Sequence, residues 1–244
     1  MTITRPRVVV LSPHLDDAAL SLGASIDHAA RCGLHVEILT VFAGDTTSLR
    51  GAGRWDRRSG FRREGEAASA RRREDAEACR ALGADAVWLD FGDEQYAQER
   101  RPGALLAAIC EHTRGADLLF APGFPLEHGD HRDVARMLAG SDLGAAARAE
   151  YAEQPYAYRS RRTPVGDGWR SLAVPEPSIL AKQDACRAYR SQLPLLPPKV
   201  LQRIRHYEQE RGGETIRPAP GSLERFARIV ELQPGGQFAW ISRA

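Results

Sequence analysis

Two short clusters hold the side chains of this chain that could do chemistry. The first is His14-x-Asp16-Asp17, inside "VVVLSPHLDDAALSLG". The second is His128-Gly129-Asp130-His131, inside "LEHGDHRDV". A histidine and a carboxylate three residues apart, on a turn between a strand and a helix, can point at one spot. An imidazole nitrogen and a carboxylate oxygen there suit a borderline divalent cation. Such a cation would offset the repulsion between Asp16 and Asp17, and Asp16 would lie beside it without having to bind it. His131 could complete a histidine–aspartate–histidine set, and three protein ligands with one open position mark a catalytic zinc site. Two histidines and one carboxylate also describe non-heme iron sites, so Fe2+ stands beside Zn2+ as a candidate. The bland alternatives are that Asp16 and Asp17 cap one helix, and that Asp130 caps another beside two surface histidines.

The elements around these clusters decide between the readings. "RVVVL" (Arg7–Leu11) is short, continuous and β-branched, the pattern of a buried strand. From about Asp16 to Arg31, Ala19, Leu22, Gly23, Ile26 and Ala30 recur at helical spacing. "HVEILTVFA" (His35–Ala43) is a second strand, which completes a strand–helix–strand unit of the kind that builds parallel sheets. A helix stopped by Gly83 follows, then a strand at Ala86–Phe91, a helix at Pro102–Gly115, a strand at Asp117–Pro122 and a helix from Gly129. This alternation predicts a three-layer α/β fold, a Rossmann-like and mostly parallel sheet with helices on both faces. Such sheets bind ligands at the carboxyl ends of their strands. Both clusters fall just past a strand, which makes two independent caps improbable. Beyond Glu150 the regularity weakens. "YAEQPYAYRS" reads as an extended edge segment, Pro177–Leu193 and Pro197–Glu210 as helices, and "GQFAWISRA" as a terminal strand. The polar, Gly- and Arg-rich stretch Gly44–Ser69 reads as a long loop or the start of a helix.

Composition narrows the classes. The 244 residues are 43% hydrophobic, enough for one sizeable core, and the expectation is a single domain over 1–244. Its core would cover about 7–193, with a helix and strand elaboration over 194–244. No apolar run reaches the length of about 18 residues needed to span a membrane, and the start does not resemble a signal peptide, so a cytoplasmic protein is expected. The four cysteines are scattered and argue against a disulfide framework or a thiolate metal site. Acids interleave with bases at a net charge of +2, so no nucleic-acid partner is indicated. A homo-oligomer is compatible with the sequence.

The two clusters together resemble the LmbE-like (PIG-L-type) de-N-acetylase family, whose usual motifs are P-H-P-D-D near the start and H-P-D-H after a middle strand. Arg71 and Glu74 before "ALG", the segment "AEQPYAY" and the helix "AKQDACRAYRSQ" also match family positions. The resemblance covers roughly Val8 to Leu193. Leu15 and Gly129 replace prolines of those motifs, and Ala18 stands where many members have glutamate. The resemblance implies a zinc-dependent N-deacetylase with His14, Asp17 and His131 as metal ligands. Asp16 would be the general base. His128, held by Asp130, would stabilise the oxyanion as imidazolium and protonate the departing amine. Arg71 and the arginines of Gly44–Arg63 would bind an anionic part of the substrate. The implied substrate is a small-molecule amide, foremost an N-acetylated sugar or glycoconjugate. Alternatives are an amidase for a larger thiol-sugar conjugate or natural-product intermediate and, more distantly, a non-catalytic metal-binding or receiver-like domain.

Overall fold

The computed structural model describes residues 5–160, 168–222, 224–225 and 239–241. The chain runs β1 (Arg7–Ser12), α1 (Asp17–Arg31), β2 (His35–Thr40), α2 (Arg54–Arg58), α3 (Glu64–Ala81), β3 (Asp85–Trp88), a 3-10 turn at Glu94–Glu99, α4 (Pro102–Thr113), β4 (Leu118–Phe124) and α5 (Gly129–Ala139). Then follow β5 (Arg148–Ala152), α6 (Tyr156–Arg159), β6 (Arg170–Ala173), α7 (Glu176–Arg187), α8 (Val200–Arg211), β7 (Glu214–Pro218) and β8 (Ala239–Ile241).

The strands form one sheet in the order β3-β2-β1-β4-β5-β7-β6-β8. From β3 to β5 every pairing is parallel; β7 and β6, and then β8, add antiparallel pairs. Strand β1 shows why the sheet has helices on both faces. Val8 and Val10 join a core with Leu22 and Ile26 of α1 and Cys79 of α3, while Val9 and Leu11 join a second core with Ile109 of α4 and Val134 of α5. Burying each such side chain contributes about 1.5–3 kcal/mol, and a strand buried on both faces needs the continuous apolar run that "RVVVL" supplies. Helix α3 ends where expected: Gly83, at φ +66°, takes the left-handed conformation past the last turn. Among the described residues, no helix is long and apolar enough to cross a membrane.

One expectation is corrected. "YAEQPYAYRS" is not an edge segment: Tyr151 and Ala152 end β5, which pairs with β4 on one side and β7 on the other, and Tyr156–Arg159 form α6. The segment beyond residue 194 supplies α8 and β7, and β7 sits in the sheet between β5 and β6. The Gly- and Arg-rich stretch is in part each of its two alternatives: a loop interrupted by α2, and then, over residues 64–69, the start of α3.

The centre of the molecule carries a buried ion cluster. Lys182 of α7 is 5% exposed and its Nζ lies 2.6 Å from both Glu208 and Glu214. The Glu214 carboxylate in turn accepts the backbone N–H groups of Ala24 and Ser25 in α1. Gly23 allows this approach: a Cβ there would stand 2.8 Å from Lys182 Cγ. Removing one partner of a buried ion pair costs about 3–5 kcal/mol, so Lys182→Met should destabilise the protein by that order at pH 7. Burial already raises the Glu208 carboxyl to about 7, against the pull of Lys182. A carboxylate whose folded pKa is raised loses its penalty as pH falls, so the loss should shrink at pH 5. Urea midpoints at the two pH values measure this; an equal loss at both would refute the account.

Candidate active site

Strand β1 sits where the chain reverses direction across the sheet, with β2 and β3 on one side and β4 and β5 on the other. That switch point opens a crevice at the carboxyl ends of β1 and β4, and both histidine–aspartate clusters fall into it. Beyond β1, Ser12 Oγ accepts the Ala18 N–H at 3.0 Å, and the His14 N–H donates to Asp17 Oδ2 at 2.8 Å. These bonds close the turn tightly enough to bring His14 and Asp17 together. Past β4, α5 begins at Gly129 and delivers His131, which is fully buried.

Three ligand atoms converge. Asp17 Oδ2 lies 3.3 Å from His14 Nδ1 and 3.1 Å from His131 Nε2, and the two nitrogens are 3.2 Å apart. Donors about 2.0–2.1 Å from a tetrahedral zinc stand about 3.3 Å from one another, so the triangle fits a divalent ion on its edges. The far nitrogen of each imidazole is held by a carboxylate: His14 Nε2 meets Asp130 Oδ2 at 2.8 Å, and His131 Nδ1 meets Glu153 Oε1 at 2.5 Å. A carboxylate behind each ring fixes the tautomer and turns the other nitrogen's lone pair toward the metal position. The charges agree with a cation site. Burial would lower the His14 and His131 pKa values, but Asp130 and Asp17 hold His14 well above its ordinary value, and Asp17 and Glu153 bring His131 to about 9. Burial would likewise raise Asp17, yet His131 and His14 hold it well below the usual carboxylate range. Positive charge is what this position favours.

The ligand atoms of His14, His128 and His131 also lie within 4.8 Å of one another. The triangle with Asp17 is the tighter one, and His128 Nδ1 is already engaged. His128 is the N-cap of α5, and its Nδ1 accepts the Asp130 N–H at 3.3 Å. Burial, with His14 and His131 nearby, lowers the His128 pKa.

Asp16 is the N-cap residue of α1 but makes no side-chain cap bond. Its carboxylate lines the cavity, and burial, with the charge of Asp17, raises its pKa to about 6. Asp130 is also not a cap. Its carboxylate accepts from Arg100 Nη1 at 2.5 Å and from the Glu94 N–H at 2.9 Å. It lies 3.9 Å from His128 Nδ1, so the expectation that Asp130 holds His128 is corrected: it holds His14.

The cavity has a volume of about 550 Å³. Arg71 is in its wall, but its guanidinium is paired with Asp56 at 2.5 Å. The Gly- and Arg-rich stretch forms another part of that wall through Trp55 of α2. The Trp55 Nε1–H donates to Gln192 at 2.9 Å, and its backbone N–H donates to Gln95 at 2.6 Å. Glu153, Arg100, Glu94 and Trp55 were not named from the sequence. The available signal was position: "GDEQY" follows the third strand and "EQPY" follows β5, so both lie on the carboxyl side of the sheet.

The GlcNAc-PI de-N-acetylase (PIG-L) family model matches residues 9–140. The 2'-N-acetylparomamine deacetylase of Streptomyces fradiae is 32% identical over 172 residues, 64% of this chain and 59% of that protein. This chain therefore spans less than two thirds of that relative. The solved structure of the A40926 pseudoaglycone deacetylase Dbv21 is 30% identical, covers 88% of this chain and 97% of its own, and superposes with a TM-score of 0.71. Teicoplanin deacetylase Orf2, in a form described as zinc inhibited, shares the fold at a TM-score of 0.73 and 24% identity over 87% of this chain and 97% of its own.

The carboxylate behind His131 gives a direct test. Glu153 is fully buried, and its second oxygen accepts the Leu126 N–H at 3.0 Å. Removing such a supporting carboxylate typically lowers metal affinity about 10–100-fold. Glu153→Gln should therefore bind Zn2+ that much more weakly in competition with a chromophoric chelator. Unchanged affinity would mean that the Glu153 contact does not orient His131.

Proposed function

The chain belongs to the GlcNAc-PI de-N-acetylase (PIG-L) family, and we propose that it is a metal-dependent hydrolase that removes an N-acyl group, N-acetyl foremost, from an amino sugar or glycoconjugate. The observation that carries this reading is the triangle of His14, Asp17 and His131 with the Asp16 carboxylate beside it in one cavity. A divalent cation held there, Zn2+ or else Fe2+, would polarise the amide carbonyl and lower the pKa of water to about 7.

Asp16 is the general base. A pKa of about 6 keeps it ionised at neutral pH and still basic enough to accept a proton from water. Attack on the amide carbon builds negative charge on the carbonyl oxygen. His128 meets that charge as a neutral donor. Its Nδ1 lone pair is committed to the Asp130 N–H, so its proton sits on Nε2. The start of α5 and the burial of the ring both disfavour imidazolium. This replaces the imidazolium acid expected from the sequence. The amine still needs a proton to leave, and Asp16, having taken one from water, returns it to the nitrogen. Asp130 positions His14, and Arg71 shapes the wall and stands near Asp16 as a fixed positive charge.

The acceptor is a sugar-sized group. Trp55, Tyr156, Leu195 and Leu196 offer apolar surface on the cavity wall, and Asp93, Glu94 and Gln95 offer polar groups. This mixture suits the C–H faces and hydroxyl edges of a sugar ring. A natural-product acceptor is favoured over a thiol-sugar conjugate, because relatives are named for action on 2'-N-acetylparomamine and on the pseudoaglycone of the antimicrobial A40926. A receiver-like domain, which binds magnesium through oxygens, has no use for His14, His128 and His131.

Acetate release from N-acetylated amino sugars should disappear after chelation and return with Zn2+ or, anaerobically, Fe2+. Failure of every metal to restore it would sink the reading. Asp16→Asn should keep the metal and lose about 10² or more in turnover; loss of metal instead would mean that Asp16 and Asp17 exchange roles. The pH profile of kcat/KM should rise with the ionisation of Asp16, at or below about 6 because the bound cation lowers it. It should then stay level to about pH 8. A descending limb near pH 7–8 that vanishes in His128→Ala would restore the imidazolium acid.

A further inference from the structure

In the proposed reaction His128 is the protein donor that meets the developing oxyanion. The cavity holds another donor that nothing has yet used. Tyr96, Tyr151 and Tyr189 spend their hydroxyls on Asp56, the Leu11 carbonyl and Asp75. Tyr156 does not. It lines the cavity with His14, Asp16 and His128, it is half-buried, and its hydroxyl has no hydrogen-bond partner among the described residues.

The Tyr156 ring is held against the metal triangle. It meets the His131 ring edge to face, with centroids 5.3 Å apart and planes at 80°, and its centroid lies 6.4 Å from that of His128. The segment that presents it is fixed to the same frame. Glu153, three residues earlier, holds His131 Nδ1 at 2.5 Å. The Gln154 N–H donates at 2.9 Å to Ser21 Oγ of α1, the helix that begins with Asp17. The Ala157 N–H donates to the Glu153 carbonyl at 2.7 Å, and the Ser160 N–H to the Tyr156 carbonyl at 2.8 Å. An acyl carbonyl drawn to the His131 corner of the triangle would therefore stand beside the rings of both His128 and Tyr156. A phenolic hydroxyl carries its proton at neutral pH, so it can donate without titrating. Donors already in place gain most when charge appears, because they need not reorient.

We infer that Tyr156 is a further catalytic residue, whose hydroxyl donates a hydrogen bond to the amide oxygen as that oxygen becomes an oxyanion. Tyr156 keeps its proton throughout, and Asp16 carries the one that is transferred. The inference rests on the hydrolase reading for the presence of a reacting amide.

Tyr156→Phe keeps the ring against His131 and removes only the donor. With zinc-loaded protein and an N-acetylated amino sugar, kcat should fall about 10²-fold with KM little changed, the sign of a contact made in the transition state alone. Zn2+ affinity, read by competition with a chromophoric chelator, should stay the same. An N-methylphosphonamidate of the same sugar is tetrahedral and anionic where the intermediate is. In calorimetry the variant should bind it about 10²-fold more weakly than the native protein does, while both bind the free amino sugar alike. Undiminished kcat in Tyr156→Phe would overturn the inference. So would a kcat loss without weaker phosphonamidate binding, which would assign the hydroxyl to the departing amine. Weaker Zn2+ binding would also overturn it, because Tyr156 would then act by positioning His131. No acetate release by the native protein would overturn the hydrolase reading itself, and this inference with it.

Discussion

Three electron-pair donors face one another inside this fold, and most of the site follows from that. His14 Nδ1, His131 Nε2 and Asp17 Oδ2 stand 3.1–3.3 Å apart. With the ring protons held on the far nitrogens, the lone pairs repel until a cation or a proton stands among them. Every supporting contact keeps this arrangement in place. Asp130 and Glu153 hold the rings from behind, and each is itself anchored, Asp130 by Arg100 and the Glu94 N–H, Glu153 by the Leu126 N–H. The Arg100 guanidinium rests 4.1 Å over the Phe42 ring, so the chain of contacts ends in packed apolar surface. Because these groups are buried, the field at the metal position is screened little by water, and the preference for positive charge is strong.

The sheet divides the labour. The parallel half brings the two clusters together, because β1 and β4 are neighbours whose ends open on the same side. The half around β5 and β7 holds that arrangement still. The Tyr151 hydroxyl of β5 donates to the Leu11 carbonyl at the end of β1, and Glu214 of β7 reaches the backbone of α1. The helix that starts with Asp17, the carboxylate of the triangle, is thereby fixed at its middle as well as at its first turn.

What could be read from the sequence depended on whether the signal was local. The buried strand, the turn "PHLDD" and the helix behind it are written in adjacent residues, and so were legible. The meeting of His14 with His131 was legible because parallel sheets gather their strand ends. Central or edge placement of β5 was not, since a strand's own residues do not say what pairs with its far side. The partner of Asp130 was misread for a related reason. Its neighbour in sequence is His128, but the start of α5 points the carboxylate across the crevice to His14, 116 positions away. Trp55 was hidden in a Gly- and Arg-rich stretch whose composition resembles solvated surface; its place in the wall is set by Gln95 and Gln192, far along the chain.

The adjacency of Asp16 and Asp17 has a geometric cause. Side chains of successive residues entering a helix diverge by about 100°, since a turn takes about 3.6 residues. Asp17, the first residue of α1, turns back to His14, while Asp16 faces the cavity. One environment holds a carboxylate ionised far below its ordinary pKa, and the other raises its neighbour to about 6. Two identical side chains thus acquire opposite properties from their surroundings, the separation that the proposed roles of ligand and base require. The charge of Asp17 itself helps to raise Asp16. The repulsion between the pair is therefore part of what tunes the base, and a cation at the triangle limits how far that tuning goes.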